Sequence, residues 1–357
     1  MDDVAASLTV RNHQFRWGER TYVMGIVNVT PDSFSGDGLG CDADVIEAAL
    51  QQARQFAEAG VDILDVGGES TRPGADVVDA DEERRRVVPV LQALRAELDL
   101  PVSIDTWKAD VAAAALDAGA DIVNDVWGLR LPTGEWDHAM AQVVAARGVP
   151  IVIMHNRRAQ ATREGVGGVY RAVEYADLVG DVVRELGEDA QFALDQGVAP
   201  EQIILDPGIG FGKTPAQNIE LLRRLSEFAA LGYPLLLATS RKSFIGLALG
   251  GLPPHERVEG TAATVALGIQ AGADIVRVHD VAQMVRVARM TDAIVRPSAW
   301  ERLTGDKTSS YANASQSPNK TGRSSMPSIS RNNILSCGTE YSALDGIVKR
   351  WFPHVIN

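Results

Sequence analysis

At 357 residues the chain exceeds one ordinary domain and suits an α/β barrel carrying an appendage. Hydrophobic residues supply 45% of it, enough for a large core, and 34 basic against 47 acidic residues leave a net charge of -13. That balance excludes a sequence-independent nucleic-acid binder, which needs a basic face, but leaves room for a basic pocket within an acidic shell.

The first residues, "MDDVAASLTVRNHQ", lack the basic start and apolar core of a signal peptide, so none is expected. Residues 7–20 read as a β-hairpin turning near Asn12-His13, with Leu8, Val10, Phe15 and Trp17 placed to plug the bottom of a barrel. From residue 20 to 297 one rhythm dominates, an apolar run followed by a loop and a helical pattern. The predicted strands are 22–29, 61–66, 101–105, 121–126, 149–154, 202–206, 234–239 and 274–279. Their runs are continuous rather than alternating, as in parallel strands covered on both faces. The predicted helices include 43–60, ending at a glycine suited to a C-cap, and 79–98, which starts acidic and which Pro89 should kink or divide. Alanine-rich helices are expected over 107–120 and 258–273. Eight β-then-α units make a (β/α)8 TIM barrel the leading architecture for residues 1–300, with a doubly wound open sheet as the alternative, since periodicity does not show closure.

Residues 301–357 fall outside the rhythm. Ser, Asn and Thr dominate 304–333, which reads as a disordered linker. Leu344, Ile347, Val348 and Trp351 then recur at helical spacing, consistent with a short helix over 341–352. The two cysteines, Cys41 and Cys337, lie far apart, which argues against a disulfide scaffold or a cysteine zinc site and for a reducing, cytoplasmic setting. No segment is apolar for long enough to span a membrane, so no membrane partner is expected.

Barrel enzymes assemble their sites where the strands end. Here those ends carry Asn28, Asp105, Asn124, Met154-His155, Asp206, Ser240-Arg241-Lys242, and Arg277 with His279; the second strand leads into Glu69, Thr71 and Arg72. An isolated Asp or Asn at a strand end commonly just caps a turn. Capping alone would not put Arg72, Lys242, Arg277 and His279 on the same rim, and the set looks like a pocket for a polar, anionic ligand. Arg72, Arg277 and His279 suit phosphate-type oxygens. Asn28 offers a neutral oxygen to Mg²⁺ when substrate phosphates and water complete the shell. Asp105, Asn124 and Asp206 suit a flat heterocycle with several N–H groups, and Lys242 can donate to a ring carbonyl or nitrogen. Such a site stabilises a departing anion rather than forming a covalent enzyme intermediate.

"DPGIGFGKT" sits where a phosphate-binding P-loop would, but that pattern needs Gly where this chain has Pro207. Its glycines are read instead as a flexible loop around Phe211. His155 is read as structural. His279 differs, because Arg277 two residues earlier shares its face of the strand.

The motifs "MGIVNVTPDSFSGDG", "GGESTRPGA", "SIDTWK", "IVNDV", "DPGIGFGK", "TSRKSFIG" and "IVRVHDV", in order through about residues 22–297, together resemble the dihydropteroate synthase family. The resemblance implies a (β/α)8 barrel, usually a homodimer, that condenses 4-aminobenzoate with 6-hydroxymethyl-7,8-dihydropterin diphosphate to 7,8-dihydropteroate and pyrophosphate in folate synthesis. It implies that Asp105, Asn124, Met154, Asp206 and Lys242 bind the pterin. Asn28, Arg277 and His279 would meet diphosphate and Mg²⁺, and Thr71, Arg72, Phe211 and Ser240 the aminobenzoate. The loop after the first barrel strand, with Thr30, Asp32, Ser33, Phe34 and Asp37, would be a lid. The family's loop usually reads "SFSDGG", whereas this chain reads Ser33-Phe34-Ser35-Gly36-Asp37-Gly38, so its aspartate is one place late. "GIGFGKT" lacks the insertion of mobile sulfonamide-resistant relatives, which implies ordinary drug sensitivity. Two other readings are a pterin-binding methyltransferase domain, which has no need of the Arg277/His279 pair, and a non-catalytic paralogue.

Overall fold

The computed structural model describes residues 7–30, 42–70, 77–164, 169–171, 174–296, 300 and 302. The expected linker over 304–333 and helix over 341–352 lie outside the described residues.

The chain opens with a hairpin of β1 (Ser7–Val10) and β2 (His13–Arg16), in which Leu8 pairs with Phe15 and Val10 with His13. Its turn falls on Arg11-Asn12, one residue earlier than expected, with Arg11 left-handed at φ 53. Eight parallel strands follow: β3 (Tyr22–Asn28), β4 (Ile63–Gly67), β5 (Val102–Asp105), β6 (Ile122–Asp125), β7 (Ile151–Met154), β10 (Ile203–Asp206), β11 (Leu236–Leu237) and β12 (Ile275–Val278). Between β7 and β10 lies a small antiparallel pair, β8 (Thr162–Glu164) with β9 (Val169–Arg171). Strands β3 to β7 and β10 are neighbours in chain order, and β12 pairs with β3. A bridge between Leu205 and Leu235 joins the two ends of the sheet, with the Leu205 N–H donating to Pro234 O at 3.0 Å. This closes the barrel and excludes the open sheet. The β11 ladder is shorter than expected because Pro234 has no N–H to give and the chain turns at Thr239, whose carbonyl accepts from Lys242 N.

The outer helices are α1 (Asp42–Ala59), α2 (Ala80–Glu97), α3 (Ala109–Asp117), α4 (His138–Arg147), α5 (Leu178–Asp195), α6 (Pro215–Arg223), α7 (Ser243–Ala248), α8 (Val258–Gln270) and α9 (Val281–Val295). Helix α2 starts at Asp79, whose side chain accepts from Glu82 N at 2.8 Å. Contrary to expectation, Pro89 does not divide it: Val87, Val90, Leu91 and Leu94 are all buried, and their packing holds both halves against the barrel. Helix α6 begins with a capping box, Thr214 and Gln217 each accepting from the other's N–H, with Pro215 at the first helical position.

The strand pleat divides the barrel into two cores. Val23, Leu64, Ile104, Val123, Ile153, Leu205 and Val276 face outward and pack under the helices. Tyr22, Met24, Ile63, Ile122, Val152, Ile204, Leu236 and Ile275 form a separate interior cluster with Leu8, Val10 and Phe15 of the hairpin. The hairpin thus plugs the N-terminal end of the barrel, and Phe15 and Tyr22 meet with ring centres 4.8 Å apart.

Candidate active site

Side chains two residues apart on a strand share a face. Two positions beyond the interior Ile63, Ile122, Val152, Ile204 and Ile275 come Asp65, Asn124, Met154, Asp206 and Arg277. Asp105 enters the same layer beside Asn124, its Cα partner across β5 and β6, and Asp206 stands beside Met154 across β10 and β7. The polar mouth is therefore the next turn of the alternation that builds the plugged core.

The carboxyl and amide groups are buried, and the half-buried Arg277 interlocks with them. Arg277 donates from Nε to Asp65 Oδ2 at 2.6 Å and from Nη2 to Asp105 Oδ2 at 2.5 Å. Asp65 Oδ2 also accepts from Asn124 Nδ2 at 3.1 Å, while its buried Oδ1 has no hydrogen-bond partner among the described residues. Asp206 Oδ1 accepts from Gly208 N at 2.7 Å. Burial pushes the Asp105 carboxyl up to about 7 against the pull of Arg277. It pushes Asp206 up to about 6, against the Gly208 N–H and Lys242, and Lys242 down to about 8, with Arg277 adding to the fall and Asp206 opposing it. Burial would lower Arg277 too, but Asp65 and Asp105 override it and raise its pKa.

One wall is apolar. Val126, Trp127, Met154 and Phe211 form a cluster of their own, with Trp107 packed against it edge-on to Trp127. The Lys242 ammonium lies 4.3 Å from the centre of the Phe211 ring, and the Arg158 guanidinium 4.9 Å from that of Trp127. Acceptors and a cation beside such a wall suit a flat, polar-edged ring. Farther out, Ser240 Oγ lies 3.0 Å from His279 Nδ1 and accepts from His279 N at 3.1 Å. Arg241 turns to Asp280 as a two-point ion pair. Asn28, half-buried at the end of β3, makes no side-chain hydrogen bond among the described residues.

So the structure brings together Asp105, Asn124, Met154, Asp206, Phe211, Lys242 and Arg277 in the mouth, with Asn28, Ser240 and His279 at their strand ends. Thr30 is half-buried at the edge of the described residues. Asp32, Ser33, Phe34, Asp37, Thr71 and Arg72 lie outside them.

Several participants escaped the sequence reading. Asp65 is hidden in "VDILDV", where only its register two past Ile63 marks it. Lys108 is clamped between Glu69 and Glu83, 2.5 Å from the latter, and the Trp107 indole donates to Glu69 at 3.3 Å. Burial raises the Glu83 carboxyl against the pull of Lys108.

The loop after β10 also differs from expectation. Gly208, Gly210 and Gly212 sit at φ 67, 83 and 61. A Cβ on Gly208 would come within 1.9 Å of His155 O, and one on Gly212 within 2.3 Å of the Arg157 carbonyl carbon. These glycines permit close packing rather than freedom of movement. Lys213, which a P-loop would point at phosphate, is instead buried behind the loop, 2.9 Å from His155 Nδ1. Burial pushes this amine down to about 7, with Asp206 and Glu185 opposing and Arg157 and Lys242 reinforcing the fall.

Three comparisons agree with this geometry. The family model described as "Pterin binding enzyme" matches residues 24–279. A dihydropteroate synthase of Clostridium beijerinckii is 49% identical over 290 residues, spanning 81% of this chain and 100% of the relative. Among solved structures, a dihydropteroate synthase from Clostridium difficile, crystallised in the presence of pteroic acid, is 49% identical with a TM-score of 0.71, covering 79% of this chain and 99% of that one. One from Xanthomonas albilineans with 4-aminobenzoic acid is 41% identical with a TM-score of 0.72, covering 81% and 98%. The chain belongs to the pterin-binding enzyme family and, within it, to the dihydropteroate synthases.

Proposed function

We propose that this chain joins 4-aminobenzoate to 6-hydroxymethyl-7,8-dihydropterin diphosphate, giving 7,8-dihydropteroate and pyrophosphate for folate synthesis. The observation that carries the reading is the buried set Asp105, Asn124 and Asp206 with the half-buried Lys242, beside the wall of Val126, Met154 and Phe211.

Asp206 and Asn124 accept from the ring N–H groups of the pterin, and Lys242 donates to its carbonyl edge. Asp105 belongs to the same set but holds Arg277 in the free protein, so diphosphate attracts a guanidinium already poised at the Asp105 carboxylate. Arg277 and His279 hold the diphosphate as the methylene C–O bond breaks and the electron pair leaves with oxygen. The aminobenzoate nitrogen, held near Phe211, Ser240, Thr71 and Arg72, forms the new C–N bond and sheds one proton to water. The loop carrying Thr30, Asp32, Ser33, Phe34 and Asp37 covers the mouth during this exchange.

Among the described residues no group of three or more His, Cys, Asp or Glu could hold a metal. The donor set fits Mg²⁺ bound mainly by substrate phosphates and water, with the uncommitted Asn28 amide oxygen as its protein ligand, where it would neutralise the leaving group. A homodimer is part of the proposal: Leu247, Leu249, Leu267, Met290 and Ile294 are exposed on α7, its following residue, α8 and α9, an apolar face for a second copy. No described helix is long and apolar enough to cross a membrane, and the two distant cysteines support a cytoplasmic enzyme.

The test is turnover with both substrates, with and without Mg²⁺ and a sulfonamide. Pyrophosphate and dihydropteroate should appear together, and the sulfonamide should compete with aminobenzoate. Tight binding of the pterin without turnover would favour a binding protein instead.

A further inference from the structure

Lys213 is 1% exposed, yet its amine has four acceptors: His155 Nδ1 at 2.9 Å and the carbonyls of Gly208 at 3.0 Å, Phe211 at 3.1 Å and His155 at 3.3 Å. Two of these carbonyls belong to the loop after β10, and His155 belongs to the end of β7. On its far side His155 Nε2 meets Glu185 Oε2 of α5 at 2.9 Å, and Arg157 donates from Nε to the same oxygen at 3.1 Å. Glu185 accepts and the lysine donates, so the imidazole between them is neutral, protonated at Nε2 and accepting at Nδ1. Burial, with the Lys213 charge, pushes the His155 pKa down to about 3, which agrees. A chain of bonds thus runs from α5 through the end of β7 to the backbone that carries Phe211.

We propose that Lys213 is a positioning residue for the aminobenzoate subsite, tying the 208–212 backbone to the end of β7 so that Phe211 is held against Lys242 and Met154. This rests on the function proposed above. The loop's other ties leave this role to Lys213. Gly208 N is bonded to Asp206 and Gly210 N to Asn218 Oδ1, both at 2.7 Å. Phe211 N closes on Gly208 O within the loop at 3.0 Å, and Gly212 O accepts from the Tyr175 hydroxyl at 3.4 Å, so none of these ties joins the loop to the end of β7. The Gly208 and Phe211 carbonyls converge on one amine. Removing it leaves the Phe211 and His155 carbonyls and an imidazole nitrogen short of a donor, while Gly208 O keeps the Phe211 N–H at 3.0 Å. The shortfall is relieved by movement of the backbone at Phe211, whose ring is part of the site wall.

The test is steady-state kinetics of the full chain carrying Lys213→Met, with amide hydrogen exchange over 208–212 as a second readout that does not depend on turnover. The KM for aminobenzoate should rise about tenfold, the loss of one charged hydrogen bond, while the KM for the pterin diphosphate and kcat change far less. Exchange at 208–212 should quicken. In a Phe211→Ala background Lys213→Met should no longer alter the aminobenzoate KM, because the ring it positions is gone. If Lys213→Met does not fold, His155→Leu, which removes one acceptor and keeps the three carbonyl bonds, should give a smaller rise with the same selectivity. Equal effects on both KM values, an undiminished effect in the Phe211→Ala background, or unchanged exchange would each overturn the proposal. Absence of turnover by the unmodified chain would overturn the proposed function, leaving the exchange result to judge the tether.

Discussion

The two ends of the barrel are built from the same eight strands and differ by one full period of the pleat, two residues along each strand. At the N-terminal end Ile63, Ile122, Val152, Ile204 and Ile275 close on Leu8, Val10 and Phe15 of the hairpin. One period along, the same strands present Asp65, Asn124, Met154, Asp206 and Arg277. The first layer stabilises the fold by burying apolar surface. The second buries charge, with carboxyls pushed up toward neutrality and an amine pushed down. The plug makes it possible to hold the charged layer out of water, where hydrogen bonds to a ligand are stronger than in solvent.

The contrast breaks most visibly at Asp206 and Lys242. Asp206→Asn or Lys242→Ala should cut kcat/KM for the pterin diphosphate by about a hundredfold or more, one to two charged hydrogen bonds, without unfolding the barrel. Asp206→Asn should also raise Tm, because it removes a buried charge and keeps the acceptor for Gly208 N. Collapse of the fold in both variants would assign them to the core instead. Phe15→Ala should do the reverse, costing about 3–5 kcal/mol in denaturant unfolding while the folded fraction keeps its kcat/KM. Asp65→Asn should fall between these, lowering kcat/KM about tenfold as Arg277 and Asn124 lose a charged common acceptor.

The pH dependence sharpens the same division because activity and stability should move in opposite directions. Free-enzyme kcat/KM should fall as pH drops through about 6, where Asp206 gains a proton, and as it rises through about 8, where Lys242 loses one. For stability, the folded value of Asp206 lies above that of the unfolded chain. Its favourable contribution is therefore complete below the unfolded carboxyl range of about 3.9 and is lost as pH rises through about 6. Urea unfolding of Asp206→Asn should lack that component. The smallest effect is expected from truncation after residue 302, which should leave kcat/KM unchanged; a loss would give the tail a docking role.

Much of this was legible in the residues. Strand positions, the helices between them and the convergence of Asp105, Asn124, Asp206, Lys242 and Arg277 follow from apolar runs ending in polar groups. Closure did not, because it depends on one bridge at Leu205 and Leu235 that no local pattern encodes. Asp65 was hidden because a carboxylate inside an apolar run reads as an interruption until register shows that it faces inward. The loop glycines invited a flexible reading since composition alone does not separate freedom from close approach; the backbone of His155 and Arg157 pressing on Gly208 and Gly212 decides it. Pro89 obeyed its local rule less than its surroundings, since packing of Val87 to Leu94 outweighs one missing hydrogen bond.

The hairpin has a further consequence for traffic. With one end of the barrel stoppered by Leu8, Val10 and Phe15, visitors to Asp206 arrive and depart by the same doorway. The deepest berth lies just above the stopper, and Phe211, Ser240 and His279 stand nearer the threshold. Whatever occupies the inner berth is overlaid by the group that joins it, so the joined product leaves outer end first through the mouth its two parts entered by.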